Sequence, residues 1–143
     1  MVFWKRLTRV LQIWLSLPQN EKLLLVEAWL DLLFVSVLLR TPLQHRLMQA
    51  KGPIVQHKNV VLQPDLAIRL VNAACSFHVK KMTCLERALV ARRVLWRRGK
   101  DVTLRIGVNR VESRLEAHAW LEDSGLPLDH NATQYVILRE LGV

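Results

Sequence analysis

Thr83-Cys84-Leu85-Glu86-Arg87-Ala88-Leu89-Val90-Ala91-Arg92-Arg93-Val94-Leu95-Trp96, closed by Arg97-Arg98-Gly99, is the stretch on which the fold turns. Thr83 followed three residues later by Glu86 is a capping-box pattern, in which the two residues satisfy each other's free backbone N–H groups. It predicts a helix that opens at Cys84, runs to about Arg98 and stops at Gly99. Cys84 then sits in the first turn, where unpaired N–H groups and the positive end of the helix dipole favour a thiolate. Ala88, Ala91 and Leu95 share the stripe of Cys84, with Leu85, Leu89 and Trp96 beside it. So wide an apolar arc predicts a central, buried helix. Arg92 falls inside that arc, which requires a snorkelling or paired side chain.

Strands follow the helix. Val102, Leu104, Ile106 and Val108 alternate with Thr103, Arg105 and Gly107, the period of a half-buried strand. Leu115, Ala117, Ala119 and Leu121 alternate with Glu116, His118, Trp120 and Glu122, which sends His118 and Trp120 the same way. Asp123-Ser124-Gly125 reads as a turn, and Leu126 to Asp129 returns antiparallel. A two-residue loop at Asp123-Ser124 sets Asp129 across from His118. A slightly different loop moves it to a neighbouring or diagonal place, still about one side chain's length from the imidazole. Residues 134–138 supply a further strand.

A thiol at a helix N-terminus, an imidazole on a strand and a carboxylate past the turn are the parts of a thiol acyl-transfer site. In that reading Cys84 attacks a carbonyl and His118 carries the proton. Asp129 orients the ring and supports its charge. The Cys84 backbone N–H is an oxyanion donor, with the second donor unidentified. Trp120 shields the His–Asp bond from water. The plainer reading also stands: cysteines in apolar helices serve as core, and strand histidines as packing.

Towards the N-terminus, the chain to about Gln49 reads as helical. Residues 1–17 are basic and apolar, Pro18-Gln19-Asn20 breaks the pattern, and Asn20 is a candidate cap for a leucine-rich helix over 21–39. Glu27 and Asp31, at i and i+4, would set two carboxylates at mid-depth of a bilayer, so a helix packed on its own domain or a partner is expected. Lys5, Arg6 and Arg9 among apolar residues keep peripheral membrane contact open. Thr41-Pro42 ends the long helix. Residues 50–64, with Lys51-Gly52-Pro53 and Gln63-Pro64, read as an irregular connection, and a short helix follows over about 65–76.

The chain's 143 residues suit one modest core, and an apolar fraction of 51% argues against disorder. A formal net charge of +9 implies affinity for something acidic without choosing among peptide, membrane or nucleic acid. Two cysteines make no disulfide framework, and no secretory signal is evident; free thiols in a reducing cytoplasm are expected. Cys75 lacks a cap context and is expected to be a core thiol. Cys75 and Cys84 are not spaced for zinc, and His45, His57, His78 and His130 show no ligand spacing. His130, beside Asp129, is a candidate backup base. No phosphate-binding glycine loop is present.

The run Cys84-Leu85-Glu86-Arg87-Ala88-Leu89, then Arg97-Arg98-Gly99, Leu104-Arg105-Ile106-Gly107-Val108, and Ala117-His118-Ala119-Trp120-Leu121-Glu122 with Gly125, resembles the lasso-peptide biosynthesis B2 proteins. These are transglutaminase-like, papain-related leader peptidases. The leucine-rich N-terminal stretch with Glu21 and Ala28 also looks like that family. The resemblance implies an α+β fold: a helical region over 1–49 for partner or leader docking, then a peptidase core over 50–143. Its core sets a nucleophile-bearing helix on a small antiparallel sheet. It implies a cysteine peptidase that removes the leader from a ribosomally made lasso precursor before a cyclase closes the ring. The family's Cys, His and Asp map onto Cys84, His118 and Asp129. The segment around Asp129 departs from the family pattern, so Asp123 is the substitute candidate. With no room for a fused recognition domain, the chain resembles the split form that works with a leader-binding B1 protein. Arg87, Arg93, Arg97 and Arg98 either meet acidic leader residues or form a solvated helix face. No cofactor, metal or nucleic acid is expected.

Two other classes stay open. One is a non-enzymatic basic adaptor on a degenerate fold, whose binding would fall steeply with salt. The other is a true transglutaminase, in which an amine rather than water resolves the thioester.

Overall fold

The computed structural model describes residues 8, 11–12, 14–50 and 62–138. The basic cluster Lys5, Arg6 and Arg9, and the connection from Lys51 through His57 to Val61, lie outside the described residues. Helix α1 spans Gln19–Leu38, α2 Gln44–Gln49, α3 Pro64–Ser76 and α4 Cys84–Trp96. The strands are β1 (Thr103–Val111), β2 (Arg114–Asp123), β3 (Leu126–Pro127) and β4 (Val136–Ile137), with a 3-10 turn over His130–Gln134.

Helix α1 starts earlier than its sequence suggests. Pro18 is extended and its carbonyl accepts from the N–H groups of Glu21 and Lys22, so Asn20 lies inside the helix and caps nothing. At the other end, the Thr41 hydroxyl donates to the Leu38 carbonyl at 2.7 Å. Leucines occupy every face of α1. Of its apolar residues Leu24, Leu25, Ala28, Leu32 and Val35 are buried, against α3 and α4, while Leu23, Leu30, Phe34 and Val37 stay exposed. Among the described residues no helix is long and apolar enough to cross a membrane.

Helix α3 opens on Pro64, whose fixed φ and missing N–H suit a first turn. Its buried Ala67, Leu70, Val71 and Ala74 join the α1 stripe and nearly all of the apolar arc of α4 in one core. Gly99, at φ 75°, lies just past the end of α4, as a left-handed residue after a helix should.

The sheet is antiparallel in the order β3-β2-β1-β4. β1 and β2 form a long hairpin that pairs Gly107 with His118 and Arg105 with Trp120. Leu104, Ile106, Ala119 and Leu121 pack against the helical core. The alternate positions of β2 hold His118, Trp120 and Glu122. Gly107 makes room for one of them: a Cβ there would meet the Trp120 ring at 2.7 Å and the Val136 carbonyl at 2.9 Å. Ser124 (φ 52°) and Gly125 (φ 82°) form the two-residue loop between β2 and β3, the left-handed pair that suits strand twist.

Polar contacts lock α1 to α4. Arg97 donates to both oxygens of Asp31 and to Glu27, and Arg98 donates to Glu27 at 2.7 Å. Arg93 lies 3.5 Å from Asp31 and over the Phe34 ring. Arg92, buried in the apolar arc, donates to the carbonyls of Leu47 and Met48 and lies over Trp96. Burial and the neighbouring Arg93 push its pKa down to about 10, which leaves it charged at neutral pH.

Candidate active site

The capping box at Thr83 is present in both halves. The Thr83 hydroxyl accepts from the Glu86 N–H at 3.2 Å, and the Glu86 carboxylate accepts from the Thr83 N–H at 2.8 Å. Glu86 is itself only 3% exposed. It also accepts from Lys80 and, at 2.7 Å, from Ser36 of α1. Burial raises its pKa, yet these three donations and a fourth from the Thr83 hydroxyl outweigh it and hold the carboxyl at about 2. Cys84, the first residue of α4, is thereby set on a fixed turn with its side chain half-buried.

His118 comes from the middle of β2. Its Nε2 lies 2.6 Å from Asp129 Oδ2. An ionised carboxylate only accepts, so Nε2 carries the hydrogen and Nδ1 is left as the basic nitrogen. The other oxygen of Asp129 accepts from the Asn131 N–H at 2.9 Å, capping the 3-10 turn. The carboxylate is therefore oriented from both sides. Burial raises its pKa, but the bonds from His118 and Asn131, with the charges of His118 and His130, hold it below the usual carboxylate range.

Cys84, His118 and Asp129 line one cleft of about 430 Å³. Among the described residues no hydrogen bond joins Cys84 to His118; the two face the same space. Among the described residues β3 pairs only with Glu122 and Asp123, and Leu128 adds one bond to Leu121, so the β2 edge from His118 to Trp120 is left to form a wall. Ile68 and Val71 of α3 supply an apolar wall, with Ala88 and Ala91 of α4. A thiol on a helix N-terminus, an imidazole fixed by a carboxylate and a cleft between them can carry out acyl transfer.

A family model described as the transglutaminase-like superfamily matches residues 29–140. The chain belongs to the transglutaminase-like superfamily. No match was found among curated proteins or among solved structures. Transglutaminase-like domains include cysteine peptidases and acyl transferases. The mixed helix-and-sheet architecture, with α4 packed on an antiparallel sheet, is the α+β fold expected from the sequence.

Other residues of this transglutaminase-like domain find places that sequence did not assign. Asp123 pairs with Lys100 at 2.7 Å and does not reach His118. Tyr135 is a missed neighbour: its ring stacks on His118 at 5.0 Å between centroids, beside Trp120 at 6.0 Å from the histidine. Trp120 is 3% exposed, and its indole N–H has no partner among the described residues. An aromatic just before a short strand gives no sequence signal for this. Of the four arginines proposed to act together, Arg93, Arg97 and Arg98 turn to the acids of α1, and only Arg87 lines the cleft. Cys75 packs half-buried against the core, where burial raises its pKa. His130 also lines the cleft.

Proposed function

We propose that the chain is a cysteine peptidase that acts through Cys84, His118 and Asp129. The observation that carries this is the convergence of the α4 N-terminus and the His118–Asp129 hydrogen bond on one cleft. In the proposed reaction the Cys84 thiolate attacks a peptide carbonyl and forms the C–S bond. The His118 imidazolium then protonates the leaving nitrogen as the C–N bond breaks. Water, deprotonated by His118, attacks the thioester; the C–S bond breaks, releasing the acid and restoring the Cys84 thiolate beside the His118 imidazolium. The Cys84 N–H stabilises the oxyanion. Trp120 and Tyr135 hold the His118 ring between them and Asp129.

The narrower reading is a leader peptidase for a ribosomally made lasso precursor, working with a leader-binding B1 protein ahead of a cyclase. It is supported by the sequence resemblance and by the exposed apolar face of α1, which suits partner docking. A cytoplasmic setting fits its free cysteines. The second reading, favoured by the superfamily's acyl transferases, has an amine in place of water at the thioester.

The test is mass spectrometry of a precursor incubated with its leader-binding protein and this chain, as wild type, Cys84→Ala and His118→Ala, with and without a primary amine. Leader release by wild type alone is the expected result. Cleavage that survives Cys84→Ala contradicts the mechanism. Amine incorporation in place of hydrolysis assigns transglutamination instead.

A further inference from the structure

Among the described residues, the cleft is lined by one arginine, Arg87, that no carboxylate of the fold holds. Arg87 lies three residues, about one helical turn, beyond Cys84, so their Cβ atoms stand roughly 5–6 Å apart on one face of α4. It is exposed and lines the cleft. Among the described residues it donates one long hydrogen bond, at 3.3 Å, to the Met82 carbonyl. Among the described residues it forms no ion pair. The other arginines of α4 and its C-terminal end are held by the fold. Arg93, Arg97 and Arg98 are bound by Asp31 and Glu27, and Arg92 by two carbonyls.

The acids around the cleft do not balance Arg87. Among the described residues one carboxylate lines it, Asp129, which is held by His118 and the Asn131 N–H. His130 adds a second basic group on that side. Ile68, Val71, Leu121 and Leu128 make part of the walls apolar, and the neutral amides of Asn72 and Asn131 also line the cleft. A planar guanidinium on the wall of such a cleft suits a carboxylate, which it grips with two parallel N–H donors.

We propose that Arg87 is a specificity residue that binds an acidic side chain of the peptide, within two residues of the bond that Cys84 attacks. The limit follows from reach: the Arg87 stem spans about two residues of extended chain at roughly 3.3 Å each. The inference rests on the peptidase reading for its position relative to the scissile bond, and on the cleft alone for the carboxylate.

The test has two arms, both on the full chain. In the first, an amidated proteome-derived peptide library is digested with wild type, Arg87→Gln and Arg87→Glu, and cut sites are read by mass spectrometry. In the second, binding of the same library to Cys84→Ala and to Cys84→Ala/Arg87→Glu is compared by affinity selection. Amidation leaves acidic side chains as the only carboxylates, and circular dichroism checks each fold. The expected result is Asp or Glu enriched roughly three- to tenfold near the cut. Arg87→Gln should flatten the preference and Arg87→Glu should turn it towards Lys and Arg. An acidic preference unchanged in Arg87→Glu, or no preference in wild type, overturns the proposal. Acidic enrichment among bound peptides, lost with Arg87→Glu, but with no cleavage by wild type, keeps the carboxylate site and removes the peptidase reading.

Discussion

At the scale of single residues, the choice between Asp129 and Asp123 shows what sequence carries and what it leaves out. The turn at Asp123-Ser124-Gly125 was legible, but its register was not. With the loop at Ser124-Gly125 rather than Asp123-Ser124, Asp129 takes the place diagonal to His118 and still reaches it at 2.6 Å. Asp123 is drawn to Lys100, a pairing between residues far apart in sequence that no local pattern encodes. Asp129→Asn is expected to lower kcat/KM about 10²- to 10⁴-fold with the fold retained, because an amide can orient the ring but cannot support its charge. Asp123→Asn should leave it within about twofold. Steady-state rates on a peptide substrate decide the point. Equal losses in the two variants would remove Asp129 from its role.

At the scale of the element, α4 was the most readable part of the chain. Its cap, its apolar arc and the glycine beyond its end are local signals, and local hydrogen bonds and periodicity govern all three. The burial of Glu86 was not readable, since it depends on Ser36 and Lys80 arriving from elsewhere. That burial has a consequence with a definite sign. The Glu86 carboxyl drops from an ordinary 4.5 to about 2 on folding. The stability it contributes, roughly 3 kcal/mol, is present above pH 4.5 and is lost as pH falls from there through 2. Urea unfolding of wild type and Glu86→Gln should differ by about that amount at pH 6 and converge near pH 2. A difference that does not narrow with acid would contradict the assignment. Helix α1 was the opposite case. Leucines on all its faces hide the buried stripe, and Pro18, not Asn20, sets its start.

At the scale of the whole molecule, α1 is fixed to α4 by charge as well as by packing. Glu27 and Asp31, which argued in sequence against a membrane span, are the anchors for Arg93, Arg97 and Arg98. The basic patch read along α4 is thus partly an internal ion-pair network. Asp31 is 7% exposed. Asp31→Ala should cost roughly 2 kcal/mol in a denaturant titration, less than a fully buried pair because the Arg97 side chain stays 41% exposed. A loss under about 0.5 kcal/mol would mean the network is only a surface decoration.

The central claim is that the fold activates Cys84 by bringing β2 and its His118–Asp129 pair to the start of α4, and it is tested without any substrate. Native protein is treated with a limiting amount of iodoacetamide at pH 7, and the rates at Cys84 and Cys75 are read by peptide mapping. The half-buried Cys75, whose pKa is raised by burial, is the internal control. Cys84 should react at least about tenfold faster than Cys75, and that advantage should shrink sharply in His118→Ala. Rates at Cys84 that do not respond to His118→Ala, or that match those at Cys75 in wild type, would contradict the account.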